Sequence, residues 1–105
     1  MGVAELKGKP AFVEAISSGD VIIIDFWATW CGPCQAISPV FEALAEQTVG
    51  PKFYKVDVDA EEDIAQEVGI RAMPTFMVFK DWEKVGEVAG ADPQKLTALV
   101  DQFKA

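Results

Sequence analysis

One stretch of eight residues, VIIIDFWA at positions 21–28, limits the possible folds of this chain more than any other part of the sequence. Its β-branched and aromatic residues follow one another almost without interruption, which is typical of a strand that is buried on both faces. A strand of this kind lies inside a sheet and needs a layer of helices on each side. We therefore predict that residues 21–28 form the centre of a sheet in an α/β fold.

Four amphipathic patterns predict the helices of these two layers. They cover residues 11–18, residues from about 33 to 47, residues 60–69, and a C-terminal segment that begins after Asp92. Asp92 is a favourable N-cap, and Gly69 is a favourable residue for the end of the third helix. Pro39 lies inside the second pattern and should kink that helix.

Further strands are predicted on either side of the central one. They cover residues 52–58, 75–80 and 84–90, with a candidate edge strand at residues 3–7. Strands that alternate with helices are joined by parallel crossovers, whereas the last two strands are close enough for an antiparallel hairpin. The prediction is a mixed sheet with helices on both faces, in one domain over residues 1–105.

The hairpin connection carries an unusual residue pair, Asp81 and Trp82, in place of the common Asn-Gly. The usual two-residue turn requires a positive φ at both positions, and a tryptophan in that conformation is strained. We therefore expect a different turn type, with Trp82 largely exposed.

Composition argues against several function classes. The chain has 17 acidic and nine basic residues without a basic stripe, which argues against nucleic acid binding. No apolar run approaches the roughly 20 residues that span a bilayer. The N-terminus, MGVAELKGKP, lacks the pattern of an export signal, so we expect a soluble cytoplasmic protein, although a mature chain with its leader removed would look the same.

The two cysteines, Cys31 and Cys34, lie close together in WCGPCQ. A zinc site normally uses four protein ligands, and with two sulfurs and no histidine a metal would require carboxylates or a second subunit. Haem attachment is excluded because Gln35, rather than histidine, follows the second cysteine. A structural disulfide is disfavoured because closing so short a loop removes little chain entropy. Two inert buried thiols are disfavoured because Gly32 and Pro33 mark a turn into a helix.

Redox chemistry fits the position of the two cysteines better. Cys31 falls where the central strand ends and the next helix begins, and the free N–H groups and positive dipole end of a helix favour a thiolate. A thiolate is the nucleophile of disulfide exchange. Cys34, one helical turn further on, can attack a mixed disulfide at Cys31, which releases the substrate and closes a Cys31–Cys34 disulfide.

Asp25 is a further candidate for chemistry. It follows four aliphatic residues of the central strand, so its carboxylate should be desolvated. Desolvation raises the pKa of a carboxyl group and would allow proton exchange near neutral pH. The alternative is an aspartate that only marks the end of a strand.

Several longer motifs resemble the thioredoxin family: DFWATWCGPC, then KVDVD, GIRAMPTF and VGEVAGA, in the family's order and over essentially the whole chain. The resemblance implies a mixed five-stranded central sheet flanked by four helices, with the dithiol at the C-terminal end of the central strand. It implies that Cys31 is the attacking cysteine and Cys34 the resolving one. It also implies that Asp25 assists the deprotonation of Cys34 through a water, with Lys55 near that aspartate. A solvated lysine is the alternative for Lys55.

The family's substrate-binding surface corresponds to a larger set of residues. These are Trp30, Gly32, Pro33, Met73, Pro74, Thr75, Gly90 and Ala91. Met73 and Pro74 match the family's cis-proline segment opposite the dithiol, where the backbone before the proline can pair with an extended substrate. Trp30 could also be a core aromatic, and Gly90 a glycine that only ends a strand.

The activity that the resemblance implies is protein-disulfide reduction through the chain's own dithiol, with no metal and no bound cofactor. A thioredoxin reductase, which would carry the flavin and NADPH, restores the dithiol. Disulfide-containing proteins such as peroxiredoxins or reductases are the expected substrates, and a monomer is expected. Two alternatives stay open, an oxidant or isomerase and a binding module with a redox switch. Gln35 replaces the lysine common in the family, which would raise the pKa of the Cys31 thiol slightly or alter the choice of partner.

Overall fold

The buried run at positions 21–28 supplies the central strand of a five-stranded sheet. The structure, a computed structural model, describes residues 2–105. Its strands are β1 (Ala4–Glu5), β2 (Ile22–Trp27), β3 (Lys52–Asp57), β4 (Thr75–Lys80) and β5 (Glu83–Ala89). Its helices are α1 (Lys9–Ile16), α2 (Gly32–Gln47), α3 (Glu62–Val68) and α4 (Pro93–Asp101).

The strand order in the sheet is β1-β3-β2-β4-β5, which places β2 at the centre. β3 runs parallel to β2 on one side, and β4 runs antiparallel to it on the other. In this register Asp25 is opposite Lys55 on β3 and opposite Phe76 on β4. The mixed sheet with helices on both faces that the sequence patterns predict is confirmed, as are the five strands and four helices that the resemblance implies.

Side chains of β2 alternate between two apolar layers, one on each face of the sheet. Ile22, Ile24 and Phe26 pack with α1 and α3 on one face. Ile23 lies on the other face, which α2 and α4 cover. The residues of these two helices that are buried in this apolar layer are Ile37, Phe41, Ala45, Leu96, Leu99 and Val100. Because side chains alternate along a strand, Asp25 shares the face of Ile23 and lies beneath α2.

Two helix ends follow the signals in the sequence. The Asp92 carboxylate accepts two backbone N–H groups of the first turn of α4, at 3.0 and 3.2 Å. Gly69, with a φ of 76°, ends α3 in the left-handed conformation. α1 begins two residues earlier than predicted, at Lys9, because Pro10 fits in a first turn where its missing N–H is not needed. Within residues 2–105, none of the helices is both long and apolar enough to cross a membrane.

The turn between β4 and β5 differs from the prediction. Asp81 and Trp82 have positive φ values of 49° and 75°, as the usual two-residue hairpin turn requires, so the expectation of a different turn type is wrong. Lys80 pairs with Glu83, and a connection this short needs that backbone conformation. The backbone N–H of Trp82 also donates to the backbone carbonyl of Ile16 at 2.9 Å. This bond holds the turn against the end of α1. The predicted exposure of Trp82 is confirmed.

Candidate active site

The two cysteines lie at the junction between the central strand and the helix that follows it. Cys31 is the N-cap residue of α2, Cys34 lies in its first turn, and a disulfide bond joins them with their Cα atoms 5.3 Å apart. The Cys31 sulfur accepts the backbone N–H of Cys34 at 3.2 Å. This N–H and the positive end of the helix dipole stabilise a negative charge on Cys31 when the disulfide is reduced.

Residues on the outer side of the disulfide form an exposed rim, which consists of Trp30, Gly32 and Pro33. The Trp30 side chain is 67% exposed, so it is not a core aromatic. Its indole N–H donates to the Asp59 carboxylate at 2.8 Å, which fixes the orientation of the ring. Because both cysteines are buried, the rim provides more contact surface for a target protein than the sulfur atoms do.

Met73 and Pro74 lie in the loop before β4, where Met73 lies beside the disulfide. Met73 packs against the buried cluster that contains both cysteines, and the Met73–Pro74 peptide bond is cis, as the resemblance implies. Gly90 donates its backbone N–H to the Pro74 carbonyl at 2.8 Å. Its φ of 96° is a conformation that favours glycine, and the neighbouring Ala91 is exposed. The structure therefore brings the end of β5 next to the loop that faces the dithiol.

The side chains of Pro74 and Thr75 are buried, unlike that of Met73. The Thr75 hydroxyl donates to the Ala72 carbonyl at 2.6 Å. Neither buried side chain offers much surface to a substrate, so contacts in this segment would come from Met73 and from the backbone. The substrate-binding roles assigned to these residues stay predictions.

Asp25 lies on the inner side of the disulfide, in a cavity of about 140 Å³. The cavity is lined by Asp25, Trp27, Cys34, Gln35, Ser38 and Lys55. Asp25 is 4% exposed, and its Oδ1 atom, like the Trp27 indole nitrogen, has no hydrogen-bond partner among residues 2–105. A buried water needs about 10–15 Å³ of such space and a few polar partners, so the cavity has room for water between Asp25 and Cys34.

Burial raises the pKa of Asp25 from its ordinary value of 3.8 to about 7. Loss of hydration is the largest cause of this shift, the positive charge of Lys55 opposes it, and the negative charge of Glu42 adds to it. The Lys55 Nζ also lies 5.6 Å from the centre of the Trp27 ring. The desolvation expected from the sequence is therefore present, and Asp25 can exchange a proton near neutral pH. Its role in the reaction and that of Lys55 stay predictions.

Gln35 is exposed beside the disulfide. Its side-chain amide nitrogen donates to the Thr29 carbonyl at 3.3 Å. The first turn of α2 is thereby joined to the loop that precedes Cys31. Where the family commonly has a lysine, this chain has a hydrogen bond in place of a positive charge.

Comparison with known proteins identifies the family. The sequence model described as Thioredoxin matches residues 3–102. The chain belongs to the thioredoxin family. The thioredoxin of Malassezia sympodialis is 58% identical over 95 residues, which cover 88% of this chain and 90% of that protein. The thioredoxin of Coprinus comatus is 53% identical over 105 residues, which cover 98% and 99%. The crystal structure of the Malassezia sympodialis thioredoxin has a TM-score of 0.93 at 49% identity and covers 100% of this chain and 94% of its own.

Membership of the thioredoxin family establishes the type of chemistry. Thioredoxins are thiol-disulfide oxidoreductases that work through their own dithiol without a bound cofactor, and a reductase regenerates that dithiol. This chain is accordingly a protein-disulfide reductase whose redox group is the Cys31–Cys34 disulfide. Within residues 2–105, no cluster of three or more cysteine, aspartate or glutamate side chains is arranged to hold a metal ion.

Two residues that sequence reasoning did not single out contact this thioredoxin site. Asp59 holds the ring of Trp30, and Ser38 lines the cavity around Asp25. Asp59 is the last residue of the KVDVD motif, so the resemblance of that motif to the family was the available signal. Ser38 lies four residues after Cys34 on α2, so its helical spacing was the available signal.

Proposed function

We propose that this thioredoxin reduces target disulfides in two steps, in which Cys31 attacks and Cys34 resolves. The observation that carries this order is the hydrogen bond from the Cys34 N–H to the Cys31 sulfur at the start of α2, which favours a thiolate on Cys31. The Cys31 thiolate attacks one sulfur of the target disulfide and breaks its S–S bond. A mixed disulfide forms at Cys31, and the first target thiolate leaves.

Resolution requires a thiolate on Cys34, and Asp25 is the proposed base. The Asp25 carboxylate accepts the Cys34 proton through water in the cavity that both residues line. The Cys34 thiolate then attacks the Cys31 sulfur, the bond to the target breaks, and the Cys31–Cys34 disulfide closes as the second target thiolate leaves. Lys55, opposite Asp25 in the sheet, favours its ionised form.

The target chain is proposed to lie across the exposed rim and the facing loop. Trp30 supplies exposed apolar surface on one side of the disulfide, and Met73 lies against the cysteines on the other. An extended target segment can pair with the backbone of Met73, since the following Pro74 has no N–H. Gly90 and Ala91 leave room for the target backbone beside Pro74.

The proposed setting is the cytoplasm, where a dithiol reductase is kept reduced by a thioredoxin reductase that uses flavin and NADPH. Peroxiredoxins and reductases that form a disulfide during turnover are the proposed targets. A net charge of −8 supports a soluble monomer through mutual repulsion. Light scattering of the reduced protein tests the monomer, and NADPH oxidation coupled to a purified reductase and peroxiredoxin tests the partners.

Two cysteine variants test the order of the steps. Insulin disulfide reduction, followed by turbidity with an external dithiol, should be lost in Cys31→Ser. Cys34→Ser should instead accumulate mixed disulfides between Cys31 and its targets, which non-reducing gels and mass spectrometry detect. Wild-type activity in Cys31→Ser would show that Cys31 is not the nucleophile.

A further inference from the structure

Ser38 is a polar residue of α2 that has no role in the disulfide exchange proposed for Cys31, Cys34 and Asp25. It lines the cavity together with Asp25 and Cys34. Cys34, Ser38 and Glu42 follow one another at intervals of four residues, so they lie along one face of α2. That face leads from the dithiol, past the Asp25 cavity, to the exposed Glu42 carboxylate.

A hydrogen bond fixes the direction of the Ser38 hydroxyl. The Ser38 Oγ atom lies 3.2 Å from Glu42 Oε2. A carboxylate only accepts hydrogen bonds, so the hydroxyl proton is directed to Glu42. The oxygen lone pairs of Ser38 therefore remain as acceptors for a donor in the cavity, such as a water or a protonated Asp25.

Charged groups on two of the elements packed against Asp25 influence its carboxyl group electrostatically. Lys55 on β3 presents a positive charge, and Glu42 on α2 presents a negative one. β4 contributes Phe76, which carries no charge, opposite Asp25. Desolvation is the largest cause of the raised pKa of Asp25. In addition, the positive charge of Lys55 lowers this pKa and the negative charge of Glu42 raises it.

We propose that Ser38 and Glu42 act as a positioning pair for the resolving step. Ser38 presents an acceptor oxygen to the Asp25 cavity, the exposed Glu42 carboxylate orients the Ser38 hydroxyl from outside the cavity, and together they make Asp25 a stronger base. The inference rests on the proposed function of Asp25 as the group that takes the Cys34 proton. Ser38 and Glu42 neither gain nor lose a proton overall. Like charge disfavours ionisation of Asp25, and a base with higher proton affinity deprotonates Cys34 more readily.

The direct test is the titration of Asp25 by carbon-detected NMR in the oxidised protein. Glu42→Gln keeps a side chain that accepts from Ser38 but removes the charge, and should lower the Asp25 midpoint by roughly half a pH unit, about a threefold loss in proton affinity. Glu46→Gln is the matched control, because Glu46 lies one turn further along α2, where its carboxylate accepts the Gly2 N–H. The control should leave the midpoint unchanged. An Asp25 midpoint equal to wild type in Glu42→Gln would overturn the inference.

A kinetic test separates positioning from a general structural role. Ser38→Ala should shift the pH profile of mixed-disulfide resolution to lower pH and slow the step by about twofold at pH 8, where Asp25 is largely ionised in both proteins. Ser38→Thr keeps the hydroxyl and should restore the wild-type profile. Equal profiles for Ser38→Ala and wild type would reject the role of Ser38. Asp25→Asn separates a failure of the proposed function from a failure of the inference. If Asp25→Asn also leaves the pH profile unchanged, the proposed function of Asp25 as the base fails. If it alters the profile while Ser38→Ala does not, only the inference fails.

Discussion

Replacing Asp25 by asparagine should make the folding stability of this thioredoxin much less dependent on pH. The carboxyl group is 4% exposed and has a pKa of about 7 in the folded protein, against an ordinary value of 3.8. At a pH between these two pKa values, Asp25 is protonated in the folded state and ionised in the unfolded state. The wild-type free energy of unfolding should therefore decrease as the pH rises through this window and level off above it.

The size of the effect follows from the two pKa values. One pH unit between them corresponds to about 1.4 kcal/mol, so the change from 3.8 to about 7 amounts to about 4 kcal/mol when Asp25 is fully ionised. This is a substantial part of the stability of a small domain, which is about 5–15 kcal/mol. Well below pH 3.8 the carboxyl group is protonated in both states, and the contribution disappears. Asparagine is neutral at every pH and removes the dependence.

Urea unfolding of the oxidised protein at intervals from pH 4 to pH 9 measures this difference. The free energy of unfolding of Asp25→Asn minus that of wild type should increase with pH by about 4 kcal/mol and reach a plateau near pH 8. Any constant cost of burying the amide cancels in this comparison. Asp20→Asn makes the same substitution at an exposed site and should give a curve parallel to wild type. A difference between Asp25→Asn and wild type that stays constant within about 1 kcal/mol would refute the reasoning.

Three further substitutions probe other parts of the structure. Trp82→Gly should be more stable to urea than Trp82→Ala by about 1 kcal/mol, because both variants lose the indole but only glycine adopts the positive φ of this position without strain; equal stabilities would contradict the turn geometry. Asp92→Ala should lose about 1 kcal/mol in the same assay, since the N-cap of α4 loses two backbone N–H bonds; an unchanged urea midpoint would show that the cap does not contribute. Gln35→Lys adds a positive charge near the reduced Cys31 and should lower the pKa of its thiol, measured by thiolate absorbance against pH; an unchanged or higher midpoint would contradict the electrostatic argument.

The predictable parts of this structure depend on patterns that are local in the chain. The apolar run predicts β2 because no polar face interrupts it, and the strand-to-helix junction at Cys31 follows from the residues on either side of it. The desolvation of Asp25 was predictable for the same reason. Each of these features depends on neighbours in sequence.

The parts that sequence reasoning missed depend on contacts between distant segments. The positive φ of Trp82 is maintained by the short pairing of β4 with β5 and by a hydrogen bond to Ile16, which is far away in the sequence. Asp59 reaches Trp30 across 29 positions of the chain. Ser38 enters the site only because β2 places Asp25 beneath α2. Such contacts become visible only when the layers of the fold are assembled.

The disulfide at the start of α2 lies between two environments, each of which has a role in the proposed reaction. The outer side, with Trp30 and Met73, offers apolar surface to a target, whereas the inner side is a small polar cavity around Asp25. In the proposed mechanism Asp25 takes the Cys34 proton near neutral pH, and burial is the largest cause of the raised pKa that this role uses. The same burial destabilises the folded state when Asp25 ionises. A substitution that hydrates the cavity should therefore stabilise the protein at pH 8 and, under the proposed mechanism, weaken the base in one change, so that stability and resolution would be opposed at Asp25.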